Sequence, residues 1–406
     1  MPERRRDLDM MRALVVLGLI FFHTARIFDF GDFYVKNDPP SILITIIVIF
    51  VSMWGMPLLF LISGIGVWYS LGSRSPGAFV RERFVRLFVP LVFGTLIIVP
   101  PQQYYSVLFK HPNLQMNYLE LLSEFIKVKP VFDFPYFLTK VPPLGLFQMA
   151  HLWFLNLLFF FTLLLLPLFL YLRSPAGERQ CHGMANFFSK PWAIFLLGLP
   201  LGLMEAGLKT EMAGGWNRYG FFVFIFYGFL LASNERFTQT IKKHWKSAVM
   251  LGLVSFVLLS AWFSVLSEKV GIDPNTAYDW GSVLLRILKG LTGWFWIVGI
   301  FGFAGTRRKK NKNAPIQTPD LPRKQKLLDR VIPYFTEAVL PFYILHQTVI
   351  VVIGYYVLQW KMITFFEYWT ISLTSLVATL VLYDLGIKRL NVTRFLFGMR
   401  KKQKKE

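Results

Sequence analysis

The chain is short of the residues that hold soluble or secreted domains together. It has one cysteine, Cys181, in 406 residues. That excludes an intramolecular disulfide, and no thiolate or zinc-ligand spacing is present. Charged residues are only 17% of the chain, and the acidic ones number 23 against 44 Lys and Arg. No internal repeat is visible, which weighs against the inverted-repeat transporter folds. What fills the chain instead is apolar: 54% hydrophobic residues, 42 of the total being Phe, with a mean hydropathy of +0.48. That is too apolar for a soluble domain. It predicts an all-α, polytopic integral membrane helical bundle.

A formal charge of +21 raises the question of nucleic acid, but its distribution answers otherwise. The Lys and Arg sit in the connections between apolar runs, which suits a lipid bilayer as partner and no nucleic acid. Ten spans are expected, at about 10–28, 41–71, 84–108, 152–172, 190–207, 216–233, 246–267, 282–304, 337–359 and 365–386. With the N-terminus inside, 31 Lys and Arg fall in inner connections and 10 in outer ones, so both termini are expected in the cytoplasm. Arg4-Arg5-Arg6 precedes an apolar run, but no small-residue cleavage site follows, so the first segment is expected to be retained. The second span is longer than a simple crossing needs: either Gly55, Pro57, Ser63 and Gly64 kink it or its start lies outside the membrane, and Pro90 with Pro100-Pro101 predict two bends in the third.

The spans are expected to form one domain over 1–390, followed by a basic cytoplasmic tail over 391–406. Within the domain, 109–150 reads as an external loop containing an amphipathic interfacial helix from Asn117 to Lys129. Residues 305–331 read as a basic, flexible cytoplasmic linker.

Candidate chemistry begins in the first span. Arg12 and His23 are eleven steps apart, nearly on one helical face and about 16 Å apart along the axis. Ionisable groups in a membrane helix are costly and mark a functional site by default. The alternative is an edge Arg that snorkels beside a packed His. His151, in His151-Leu152-Trp153-Phe154-Leu155, stands at the outer end of the fourth span at a depth similar to His23. It is either a second imidazole for proton transfer or an interfacial anchor. His346 lies inside the ninth span and suits catalysis or an interhelical polar contact.

Arg83 and Arg86, three apart at the inner end of the third span, would join Arg12 in an anion site suited to phosphate, or simply follow the positive-inside pattern. Arg286 and Lys289 share a face of the eighth span and could neutralise a carboxylate, or lie before the helix enters lipid. Glu205 and Asp384 suit structural pairing. Gln102-Gln103-Tyr104-Tyr105 suits sugar hydroxyls and faces, or an aromatic belt.

Together these pieces resemble the membrane acyltransferase-3 family. The carrying residues are Arg12 and His23 after Leu8-Asp9, then Arg83-Phe84-Val85-Arg86, His151-Leu152-Trp153-Phe154-Leu155 and Phe342-Tyr343-Ile344-Leu345-His346. Within it the chain is most similar to the glucan biosynthesis protein C branch, which succinylates periplasmic glucans. Leu59-Phe60-Leu61-Ile62-Ser63-Gly64, Leu382-Tyr383-Asp384 and Arg394-Phe395-Leu396-Phe397 carry that likeness.

The resemblance implies O-acyl transfer, of a succinyl or acetyl group, from cytoplasmic acyl-coenzyme A to a hydroxyl of an extracytoplasmic glycan. It places the protein as a multi-pass protein of the bacterial cytoplasmic membrane. His23 would be catalytic, with His151 and His346 as further catalytic or acceptor-side candidates. Arg12, Arg83 and Arg86 would bind acyl-coenzyme A, and Arg286 and Lys289 an acyl carboxylate. No metal and no tightly bound cofactor is expected. The rival readings are a transporter or flippase for a glycan or lipid-linked precursor, and a structural protein of an envelope complex.

Overall fold

A computed structural model describes residues 6–208, 212–271, 273–312 and 323–402. The start of the basic N-terminal run, the middle of the 305–331 linker and the last residues of the 391–406 tail lie outside the described residues. The helices follow the apolar runs in order. They are α1 (Arg6–Phe28), α2 (Ile42–Ser52), α3 (Gly55–Leu71), α4 (Pro76–Arg83), α5 (Val89–Phe93), α6 (Val99–Lys110) and α7 (Tyr118–Phe125). The strands β1 (Val128–Asp133) and β2 (Tyr136–Lys140) follow, and then α8 (Trp153–Leu164), α9 (Leu166–Leu172), α10 (Pro175–Phe188) and α11 (Gly198–Gly207). Two short strands, β3 (Met212–Ala213) and β4 (Trp216–Asn217), precede α12 (Gly220–Ser233), α13 (Glu235–Ser264) and α14 (Trp280–Lys312). The chain closes with α15 (Arg323–Val357), α16 (Thr364–Leu382) and α17 (Asn391–Leu396).

Among the described residues, seven helices are long and apolar enough to cross a membrane, or up to nine if two bent pairs each count as one span. The expected ten therefore exceeds what the helices supply. The shortfall is at α12, whose 14 residues reach about 21 Å, less than the roughly 30 Å hydrocarbon core. The bent pairs are Ala150–Leu164 with Leu166–Leu172, at 52°, and Pro175–Phe188 with Ala193–Gly207, at 119°.

Proline accounts for several local departures. In the continuous segment Pro76–Lys110, the two proline sites are met by widened turns rather than breaks. Val89 N–H reaches back five residues to Phe84 O, and Val99 N–H to Gly94 O, each just before a proline that cannot donate. The second expected span is interrupted at Met53-Trp54, just ahead of Pro57. In the 109–150 region the helix is shorter than expected. Asn117 and Glu120 form a reciprocal cap at its start. It ends at Phe125, Pro130 disfavours helix at Lys129, and β1 pairs antiparallel with β2 from Val128↔Lys140. Of the 305–331 stretch expected to be flexible, 305–312 and 323–331 are helical; Lys, Arg, Gln and Leu are all good helix formers.

The chain divides into two compact units. The first holds residues 6–8, 49–76 and the described residues of 161–312. Its helices meet at glycines: a Cβ on Gly64 of α3 would lie 2.0 Å from Ile225 O of α12, and one on Gly290 of α14 2.3 Å from Gly202 N of α11. Close backbone approach of this kind is how helices associate where lipid leaves no hydrophobic drive between them. Met53, Leu259 and Trp296, packed with Phe50 and Phe256, form its aromatic-rich core cluster.

The second unit holds 9–48, 77–160 and 323–402. Arg394 of α17 pairs with Glu337 of α15 at 2.6 Å. The loop after α17 then brings Gly398, at φ +68°, against the Arg86 carbonyl, where a Cβ would stand 2.7 Å away. Pro90, four residues on from Arg86, is what leaves that carbonyl without its helical donor.

Candidate active site

The second unit gathers three imidazoles from distant parts of the chain. His23 stands in the last third of α1, His151 in the short turn Ala150–Leu152 leading into α8, and His346 in the middle of α15. The His346 ring lies 5.1 Å from that of His23 and 5.2 Å from that of His151, centre to centre. His151 and His346 are buried, at 4% and 0% exposure, and His23 is half-buried.

Backbone carbonyls fix the tautomers of the two buried rings. A carbonyl can only accept, so His151 Nε2–H donates to Ile344 O at 2.9 Å and His346 Nδ1–H donates to Tyr343 O at 2.6 Å. Their other nitrogens, His151 Nδ1 and His346 Nε2, are then lone-pair acceptors. Both are buried without a hydrogen-bond partner, as is His23 Nδ1. Unsatisfied buried polar atoms are costly, and three of them fall on this one imidazole cluster. The Tyr343 hydroxyl donates to His151 O and its ring packs edge-on to the His151 ring, tying the turn to α15. No group of three or more His, Cys, Asp or Glu among the described residues could hold a metal ion.

The loop after α1 supplies the next layer. Phe33 stacks on His23 at 6.2 Å. Asp29, 1% exposed, anchors this loop: it pairs with Arg26, pairs with Lys36 at 2.9 Å and accepts from Gly31 N at 3.1 Å. Burial pushes the neighbouring Tyr34 phenol above its ordinary range. The amides of Gln102, Gln347 and Gln148 lie within reach of its oxygen and offset part of that rise. Sequence reasoning passed over Phe33, Tyr34, Tyr343 and Gln347. Their only signal was adjacency to a histidine or, for Tyr343, membership of the run that carries His346.

Asp29→Asn leaves two cations facing a neutral amide. It is expected to cost about 2–3 kcal/mol, the scale of hydrogen bonds to charged groups, and to slow activity through misplacement of Phe33. A thermal melt together with proteolytic nicking of 29–41 checks it; unchanged melting and cleavage would contradict the anchor.

The three arginines lie in the same unit. Arg12 is 3.8 Å from Asp9 and feels the charge of Arg86. Arg86 is exposed, pairs with Glu82 at 3.3 Å and reaches Gly398 O at 3.4 Å. The Arg83 guanidinium lies 4.8 Å from the centre of the Phe79 ring. Arg12 stands near the start of α1, about 16 Å along the axis from His23, and Arg83 and Arg86 lie in the first third of the continuous segment Pro76–Lys110.

Arg286 and Lys289 belong to the other unit, and the structure gives both protein partners. Lys289 Nζ pairs with Glu205 at 2.6 Å, with side chains 9% and 1% exposed. Arg286 donates to the Pro274 and Asn275 carbonyls at 3.0 and 3.1 Å and lies over the Tyr278 ring at 4.8 Å. In that loop Asp273 is held below the usual carboxylate range, first by the Asn275 backbone N–H and also by the Arg286 charge. The pairing expected for Glu205 thus uses the lysine that had been read as a carboxylate ligand. Asp384 accepts from Tyr334 at 3.0 Å and pairs with Lys388 at 3.4 Å.

Comparison with known families adds the class. The acyltransferase domain of the acyltransferase-3 family matches residues 5–384, nearly the whole chain, and the protein belongs to that family. It is a multi-pass membrane acyltransferase. Comparisons with curated proteins and with solved structures return no match.

Proposed function

We propose that the protein is an O-acyltransferase that moves a succinyl or acetyl group from cytoplasmic acyl-coenzyme A to a hydroxyl of an extracytoplasmic glycan. The glucan-succinylating branch is the best fit by motif. The observation that carries the reading is the convergence of His23 with two carbonyl-locked imidazoles, each ring keeping a nitrogen without a partner. His23 acts on substrate because it is the half-buried one. With the N-terminus inside, as the basic connections favour, α1 carries Arg12 at the cytoplasmic side and His23 toward the outer side. The distance between them, about 16 Å, is comparable to an extended pantetheine arm.

In this mechanism the phosphates of coenzyme A rest on Arg12, Arg83 and Arg86, and the thioester reaches His23. The imidazole takes the proton of the sugar hydroxyl as its oxygen attacks the thioester carbonyl. The C–S bond breaks, and the thiolate leaves with that proton as free coenzyme A. In the covalent variant the imidazole nitrogen itself first attacks the thioester carbonyl; the C–S bond breaks and coenzyme A leaves as the thiol with the imidazole proton. The sugar oxygen then attacks the acyl-imidazole, the C–N bond breaks and the hydroxyl proton returns to the imidazole. His346 and His151 hold the cluster and stand ready to relay the proton.

Mass spectrometry of envelope and secreted glycans tests the reading directly. A mass increment in cells with the wild-type protein, missing with His23→Ala and in cells without the protein, supports it. Glycans identical in all three would defeat it and favour transport. The arginine site has its own test. Arg12→Gln and Arg86→Gln are expected to raise the KM for acyl-coenzyme A about tenfold each, the worth of one charge-assisted hydrogen bond. The KM for an acyl-pantetheine lacking the nucleotide should stay unmoved. Equal effects on both donors would show that these arginines do not read phosphate.

A further inference from the structure

The segments that carry the imidazoles also carry a second polar group that the chemistry above does not use. Tyr34, Gln102, Gln148 and Gln347 converge, the three amides lying around the Tyr34 phenol. Three of the four are chain neighbours of the histidine cluster. Tyr34 follows Phe33, which stacks on His23. Gln347 follows His346, and Gln148 stands three residues before His151. The fourth, Gln102, comes from α6. A second amide there, Gln103, ties α6 to the same loop by donating to Leu146 O at 3.0 Å.

Gln102 is fully buried and Gln347 is 3% exposed. The Gln102 Oε1 accepts from Thr348 at 3.4 Å, while its Nε2 is buried with no hydrogen bond. An amide donor at 0% exposure costs free energy until something accepts from it. The charges nearby are matched within the protein, Asp29 by Arg26 and Lys36, and Asp32 by Lys110 at 2.7 Å. What the cluster offers is therefore neutral: amide donors and acceptors, a phenol and the Phe33 ring. Among the described residues, a phosphate or carboxylate would find no unpaired cation there. A neutral polyhydroxyl ligand, each hydroxyl both donor and acceptor, matches it.

Resting on the acyl-transfer reading, we infer that Tyr34, Gln102, Gln148 and Gln347 form the acceptor subsite. They hold an uncharged sugar so that one of its hydroxyls faces the imidazole cluster. Gln102 Nε2, which makes no hydrogen bond in the structure, donates to a sugar oxygen when the acceptor is bound. Aromatic Phe33 offers its ring to a sugar face while keeping His23 in place.

The test uses the full-length protein in lipid nanodiscs with succinyl- and acetyl-coenzyme A. Coenzyme A release is followed with neutral β-gluco-oligosaccharides and, separately, with glucuronic acid as acceptor. Gln102→Leu and Tyr34→Phe are expected to raise the KM for the neutral sugar at least about tenfold, the loss of one hydrogen bond in a buried site, and to leave the KM for acyl-coenzyme A in place. Tyr34→Phe removes only a hydroxyl from a loop residue, so it guards against a folding defect in the Gln102 variant. Unchanged sugar KM in both variants, or equal rises for sugar and donor, would overturn the subsite. Stimulation by glucuronic acid and not by the neutral sugars would overturn its neutral character. A wild-type protein that releases no coenzyme A under any condition would instead defeat the acyl-transfer reading, and the subsite with it.

Discussion

His23→Ala is expected to lower acyl transfer by at least about a thousandfold, within the range that a positioned acid–base group contributes, and to leave the fold standing. The asymmetry within the cluster is the reason. His151 and His346 each spend one ring nitrogen on a carbonyl of α15. Their alanine variants lose a buried hydrogen bond as well as an imidazole, so activity and melting temperature should fall together. The His23 ring is held by packing, against Phe22 at 5.2 Å, Phe33 at 6.2 Å and His346 at 5.1 Å, and its Nδ1 bonds nothing. Truncation there removes chemistry and little structure. Coenzyme A release by His23→Ala in nanodiscs, with a melt alongside, is the measurement. Turnover near the wild-type rate would remove His23 from the mechanism. Acid-quenched protein incubated with labelled acyl-coenzyme A and no acceptor separates the two routes: label retained on wild type and lost in His23→Ala marks an acyl-imidazole.

The sequence exposed this site unevenly, and the reasons are physical. Arg12 and His23 share one helix, so the 3.6-residue period alone relates them. The convergence of His151 with His346 was invisible, since 195 positions separate them and nothing local records that a turn before α8 packs on the middle of α15. Ile344 O and Tyr343 O, which set the tautomers, are backbone atoms with no signature in residue type. The apolar runs revealed the bundle, yet hydropathy alone does not give helix length, and α12, expected as a span, is a 14-residue helix. Prolines predicted where the third span would be irregular but not how. The widened turns at Phe84–Phe88 and Gly94–Ile98 satisfy the backbone while keeping the helix continuous. The Asp29 anchor escaped notice because Arg26, Asp29 and Lys36 read as ordinary interfacial charges until the loop folds back.

Lys289→Met should be the most destabilising of these substitutions, at about 3–5 kcal/mol, the cost of stranding one member of a buried ion pair. Glu205 is 1% exposed in its side chain and lies 2.6 Å from Lys289; its other oxygen accepts from the Asn217 backbone N–H at 2.7 Å. With the lysine gone, one backbone hydrogen bond is all that is left among the described residues to offset a carboxylate's desolvation in a poorly polarisable interior. The expected readout is a lower melting temperature and poor recovery from membranes. Replacing both partners, Glu205→Gln with Lys289→Met, removes the stranded charge, keeps an acceptor for Asn217 and should restore most of the loss, since a buried pair is worth little over neutral residues of similar volume. The pair of variants also separates two roles for this lysine. If its work is to neutralise Glu205, the rescued double variant transfers the same acyl group with the same donor KM as wild type. A double variant that is stable yet has lost preference for a dicarboxylic donor would return Lys289 to the reading of the acyl carboxylate.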